Sequence, residues 1–195
     1  MYKSDTDKGY RFERAIELFN KHGGIMRTSL AIKEGIHPET LYKMRDSGAL
    51  DMISRGLYRI AENPPLCNPD LITVAARVTG GIICLISALS FYELTTQIPH
   101  EVHIALQRGA KEPRMDFPPI RTYRFTGKSF SEGIEIYKID GINVKVYSPE
   151  KTLADCFKFR NKIGLDTAVE AIRFYRQQKD VKINEIMHYA SICRV

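Results

Sequence analysis

Cysteine is scarce in this sequence. Cys67, Cys84, Cys156 and Cys193 form no close pair, and three of the four sit inside apolar runs, so they read as reduced core residues. Long apolar runs are lacking too: none approaches the ~20 residues of a membrane span. The opening residues, with Lys3, Asp5 and Asp7, hold no signal-peptide core, and a cytoplasmic protein without a membrane partner is expected. There is no internal repeat, no low-complexity segment and no glycine-rich phosphate loop. Neither half of the chain is a basic tail: residues 1–64 carry 11 basic against 9 acidic side chains and the remainder 18 against 14. The net +6 and a pI near 9.1 favour an acidic partner such as nucleic acid, through where the charge lies more than through its sum. With 44% hydrophobic and 27% charged residues, disorder is excluded, and 195 residues give room for two domains, each with its own core.

Catalytic patterns are likewise missing. His100-Glu101-x-His103 falls one residue short of zinc-motif spacing, and on a strand its two imidazoles would face opposite sides. Ser148-x-x-Lys151 matches a serine-lysine catalytic pair by letter only, without the companion motifs, and Ser148 has a simpler role as a helix N-cap. Asp155 has no acidic partner at helical spacing of the kind a two-metal site needs. The expectation is a protein that is not an enzyme, with no cofactor and no metal. The enzymatic alternative is a metal-dependent nuclease or nucleotidyltransferase using Asp155, Glu150 or Glu101, and a protein-interaction module is the third reading.

What is present is a pattern of short elements. Residues 1–8 are polar and expected to be mobile. From Gly9 to His22, Phe12, Ala15, Ile16 and Phe19 recur at helical spacing, and Gly23-Gly24 stops that helix. Thr28 reads as the N-cap of a short helix through Leu30, Ala31 and Ile32 that ends at Gly35-Ile36. A second helix follows at once, capped by His37, with Pro38 in its first position, Leu41 and Met44 on one face, and Gly48 at its end. Leu50–Ser54 and Leu57–Ala61, separated by Arg55-Gly56, read as a hairpin. Helix, turn, helix and hairpin make a winged helix-turn-helix, with Glu39, Thr40, Tyr42 and Lys43 expected to face a major groove. Lys43, Arg45 and Arg55 are the cations such a module would use on bases and phosphates, and Arg59 reads equally well as a structural arginine on the wing.

Glu62-Asn63-Pro64-Pro65 reads as a linker, giving expected domains of 1–63 and 66–195. Beyond it, Asn68-Pro69 opens a helix, Ile82–Ile86 reads as a buried strand, and Ser87 reads as the cap of a further helix. Glu101–Leu106, Thr122–Phe125, Ile134–Ile139 and Ile142–Tyr147 alternate as strands, the last two joined by Asp140-Gly141. Helices follow at Ser148, around Leu165–Ile172, and at Ile183–Ala190. The expected fold class is α+β: an N-terminal winged helix-turn-helix, then a larger mixed domain. A second basic stretch holds Arg108, Lys111, Arg114, Arg121, Arg124 and Lys128 and reads either as a contact surface or as a solvated loop.

Gly24 to Ala61, with Arg27-Thr28, the Ile36 turn and Arg55-Gly56-Leu57-Tyr58-Arg59, resembles the winged helix of AbiEi-type antitoxins. Cys84–Leu89, Pro99–Leu106 and Val146-Tyr147-Ser148-Pro149-Glu150-Lys151-Thr152-Leu153-Ala154-Asp155 are similar to the C-terminal domain of that family, and the resemblance spans roughly residues 10 to 175. It implies a cytoplasmic antitoxin paired with a nucleotidyltransferase-like toxin in an abortive-infection, or phage-defence, operon. The winged helix would bind inverted repeats in double-stranded DNA of its own promoter and repress it. The C-terminal domain would supply antitoxicity, often without a stable complex with the toxin. Carried over, DNA contact falls on Thr28, Thr40, Lys43, Arg45 and Arg55. Glu39 departs from what DNA would favour at the start of the reading helix.

Overall fold

The apolar stripe of Phe12, Ala15, Ile16 and Phe19 needs a partner surface, and it finds one by closing a small core with two short helices and a sheet. In the computed structural model, which describes residues 4–195 and their side chains from residue 9, this stripe lies on α1 (Ser4–Lys21). The expectation of a mobile N-terminus falls partly on residues 1–3, outside the described residues, and Ser4 already belongs to α1. The chain continues through β1 (Ile25–Arg27), α2 (Thr28–Lys33), α3 (Pro38–Asp46), β2 (Leu50–Ser54) and β3 (Leu57–Ile60). Strand β1 was not expected, because three residues are too short to show a period. It pairs antiparallel with β3, Met26 opposite Tyr58, and β3 pairs antiparallel with β2, giving the sheet order β1-β3-β2. This connectivity is that of a winged helix-turn-helix. Ala15, Phe19, Met26, Ala31, Leu41, Met44, Leu50 and Tyr58 form its core.

The chain then forms α4 (Pro69–Arg77), β4 (Ile82–Ile83), α5 (Leu85–Phe91), β5 (Val102–Gln107), β6 (Ile120–Phe125), α6 (Lys128–Ser131), β7 (Ile134–Ile139), β8 (Ile142–Tyr147), α7 (Pro149–Lys158), α8 (Arg160–Ile163), α9 (Leu165–Tyr175) and α10 (Ile183–Cys193). The class is α+β. Two expectations are corrected here. The apolar run from Ile82 is a strand for only two residues, after which Leu85 opens α5. Ser87 lies inside that helix, where its hydroxyl accepts the His103 amide at 2.9 Å and donates to the Glu101 carbonyl. A short continuous apolar run cannot by itself distinguish strand from buried helix.

The chain folds as two compact units. The first ends at Ala76 and also includes Lys138–Asn143, the tip of the β7–β8 hairpin; the second comprises Arg77–Tyr137 and Val144–Val195. At that tip Asp140 and Gly141 both have positive φ, +45° and +79°, as a type I′ turn demands. The tip packs against the turn after α1 so closely that a Cβ on Gly141 would lie 2.5 Å from the Gly23 Cα. The Cys67 amide donates to the Asp140 carboxylate, and Ile139 and Ile142 pack with Ile25, Leu57, Ile72 and Ala76 in a second small core of this unit. Residues 62–65, expected to be a linker, are held as well: Arg59 donates to the Pro64 carbonyl at 3.0 Å.

The second unit is built on the sheet β6-β5-β4-β8-β7. β5 runs antiparallel to β4 and parallel to β6, while β4 and β8 are parallel through Ile83 and Val146. Its core joins Tyr123, Phe125 and Tyr147 from the strands to Leu153 and Cys156 of α7 and to Ala168, Ala171 and Tyr175 of α9.

Candidate nucleic-acid interface

Helix α3 is fixed at both ends by local chemistry. The Glu39 amide donates to His37 Nδ1 at 3.3 Å and Pro38 fills a position where no amide is needed. At the other end Gly48 adopts φ +77° while its amide and that of Ala49 bond back to Arg45 and Met44. Leu41 and Met44 are fully buried, so the helix presents Glu39, Tyr42, Lys43, Arg45 and Asp46 outward. Thr40 does not join them. It is 8% exposed and faces inward, because residue 40 shares the helical side of Leu41 and Met44.

The outward cations of α3 carry their own counterions. Lys43 Nζ lies 2.6 Å from Glu39, an i,i+4 pair that holds the Glu39 carboxyl below the usual carboxylate range. Arg45 donates twice to Asp46, at 2.8 and 2.7 Å, and lies 5.4 Å over the Tyr42 ring. On the hairpin, Arg59 bonds bidentately to Asp51 and to the chain beyond β3, which makes it a structural arginine. Arg55 stands exposed at the hairpin tip. Thr28 is corrected: it is the first residue of α2, the capping position is Arg27, and its amide and hydroxyl both donate to the Gly56 carbonyl, at 2.9 and 3.3 Å. Thr28 therefore braces the wing tip against α2.

The second basic stretch is divided by the structure. Arg121 pairs with Glu101 at 3.2 Å, and Arg124 pairs with Glu112 and donates to the Ala110 carbonyl at 2.8 Å. Arg108, Lys111, Arg114 and Lys128 are exposed.

The acids that an enzymatic reading would use have structural partners. Asp155 and Lys151 are fully buried and 2.5 Å apart, the Cys193 thiol donates to the other carboxylate oxygen, and Lys151 Nζ lies 4.4 Å over the Tyr147 ring. Burial nevertheless pushes the Asp155 carboxyl up, with Lys151 pulling against it. Glu150 accepts from the Tyr175 hydroxyl at 2.6 Å. Ser148 caps α7 through the Lys151 amide, as its spacing indicated. The Lys151–Asp155 pair was readable as an i,i+4 spacing of opposite charges, although nothing in the spacing says that it is buried. His100 is exposed and His103 buried, and among the described residues no three metal-ligating side chains come together.

The element order from α1 to β3 coincides with a known regulator segment: residues 13–61 match a family model described as "Transcriptional regulator, AbiEi antitoxin". The matched segment takes in the second half of α1, both short helices and the wing, that is, every residue named above for α3 and its hairpin. The structure is also similar to the crystal structure of the RV2827C protein from Mycobacterium tuberculosis, with a TM-score of 0.54 and 12% identity over 92% of this chain and 75% of that one. At that identity the likeness is one of fold. No curated protein matches. Among the described residues, no helix is long and apolar enough to cross a membrane.

Proposed function

We propose that this chain is the antitoxin of a two-gene abortive-infection operon, binding double-stranded DNA at its own promoter to repress transcription and counteracting a nucleotidyltransferase-like toxin in the cytoplasm. The observation that carries this reading is the coincidence of the AbiEi segment with a helix-turn-helix and hairpin in winged-helix order. Helix α3 enters the major groove with Tyr42 and Lys43, and Arg55 on the wing reaches the backbone. Lys43 and Arg45 exchange their exposed carboxylate partners for phosphate or base edges on binding, an exchange that costs little because exposed pairs are individually weak. Inverted repeats require two copies of the chain, one on each half-site, with half-site centres about 10 bp or a multiple apart.

Gel-shift titration on the region upstream of the gene tests this. The affinity is expected to fall steeply with salt, with a slope of about −0.9 in log K against log salt for each neutralised phosphate. Lys43→Ala and Arg55→Ala should each weaken binding by roughly tenfold, the loss of one charge-assisted contact. Unchanged binding by both variants would refute this assignment of helix and wing.

A further inference from the structure

The sheet of the second unit has two outer strands, and they are finished differently. At one end β6 carries its charge in pairs, Arg121 with Glu101 and Arg124 with Glu112. At the other end lies β7, and among the described residues no backbone hydrogen bond reaches Ile134–Ile139 from outside the sheet. An uncovered edge of that kind is a template for another chain. One face of β7 is closed: Glu135 accepts from the Tyr92 and Tyr137 hydroxyls, and the Tyr137 ring centre lies 4.9 Å from that of Phe91. The two-residue period of a strand sends Ile134 and Ile136 to the other face, where Ile136 is 63% exposed.

That face borders a groove of about 690 Å³, with Ile82, Leu106, Ile134 and Ile136 among its apolar walls and Lys111 and Lys145 among its polar ones. No acidic residue lines it among the described residues. Lys145 is half-buried, and neither its ammonium group nor that of Lys111 has a hydrogen-bond or ion-pair partner among the described residues. The acids nearest in sequence are engaged elsewhere, Glu112 by Thr122 and Arg124, Glu135 by the two tyrosines. Cations without counterions beside an aliphatic wall complement a partner that is both acidic and apolar.

We propose that the groove takes an extended acidic segment of a partner protein, its aliphatic side chains on Ile134, Ile136 and Leu106, its carboxylates on Lys111 and Lys145, and its backbone paired with the edge of β7. A second copy of this chain does not fit, because joining two β7 edges would bring two basic rims together. Nucleic acid would satisfy the cations and leave the aliphatic wall and the strand edge unused. The site lies wholly in the second unit and is independent of the α3 and wing contacts proposed above.

The test uses the full chain and a labelled peptide that repeats Val-Ser-Glu-Ser, so that an extended backbone turns valine and glutamate to one face. Fluorescence anisotropy should show saturable binding, weakened about tenfold or more when lysine replaces glutamate in the peptide or serine replaces valine. Lys145→Glu should weaken the glutamate peptide by a similar factor and strengthen the lysine peptide, a gain that a misfolded variant would not show. On binding, alternate amides along residues 134–137 should exchange more slowly, as strand pairing requires. No binding of the glutamate peptide, equal affinity for the glutamate and lysine peptides, or unprotected β7 amides in the complex would each overturn the proposal. So would a labelled DNA duplex that competes with the peptide and loses affinity in Lys145→Glu, which would make the groove a nucleic-acid surface.

Discussion

At the scale of single residues, the second unit stores its polarity in buried pairs whose worth depends on pH. His103 is 4% exposed, with Nδ1 unpartnered among the described residues and Nε2 3.6 Å from Glu101. Burial lowers its pKa from 6.5 to about 4; Glu101 acts in the opposite sense and Arg121 adds to the lowering. The unfolded chain therefore takes up this proton first as the pH falls. The contribution of His103 to stability is whole above about pH 6.5 and is lost progressively as the pH drops towards 4. Denaturant titrations across that window should show the decline, and His103→Phe should flatten it. A decline of equal steepness in the variant would mean that another group is responsible. This behaviour was not legible in the sequence: alternation placed His103 on a strand, but the strand proved buried on both faces, from Val102 to Leu106, and alternation does not report that. Ser148 and His37 were legible as caps because a cap is a local device, written in the residues that immediately follow it.

At the scale of elements, two glycines show the difference between backbone conformation and close approach. Gly35, after α2, has φ +92° and open space where a side chain would go. Gly141 has φ +79° and faces the Gly23 backbone. Gly35→Ala should therefore lose about 1 kcal/mol, from backbone conformation alone. Gly141→Ala adds a collision to that and should lose at least ~2 kcal/mol. Urea unfolding of the two variants separates these contributions, and equal losses would mean that the hairpin tip is not pressed against the α1 turn. The Asp140-Gly141 turn itself was plain in the sequence because its positive φ values select those residue types. Its docking site was hidden, since the residues that meet there stand more than a hundred positions apart. The candidate interface divides in the same way. Helix α3, its apolar face and its end points follow from local pattern, whereas the burial of Thr40 and the pairing of Lys43 and Arg45 with acids depend on how the helix is rotated against α1.

At the scale of the whole molecule, the chain passes from one compact unit to the other after Ala76, after Tyr137 and again after Asn143. A fragment ending at residue 63, where composition suggests a linker, would lack Ile72, Ala76, Ile139 and Ile142, and would leave Ile25 and Leu57 exposed. Such a fragment is expected to bind an apolar dye and to unfold with less cooperativity than the full chain, as calorimetry and dye fluorescence can show. Full stability in that fragment would mean that the returning hairpin contributes nothing to the head. The same return has a consequence for synthesis. The segment that matches the regulator family is complete at residue 61, yet the turn that covers its apolar underside ends at Asn143, about 80 residues later. At translation rates of ~5–20 residues per second, the emerging head waits roughly 4 to 16 seconds with that underside open, in reach of chaperones. A ribosome stalled between those two points carries a head still short of the piece that finishes it.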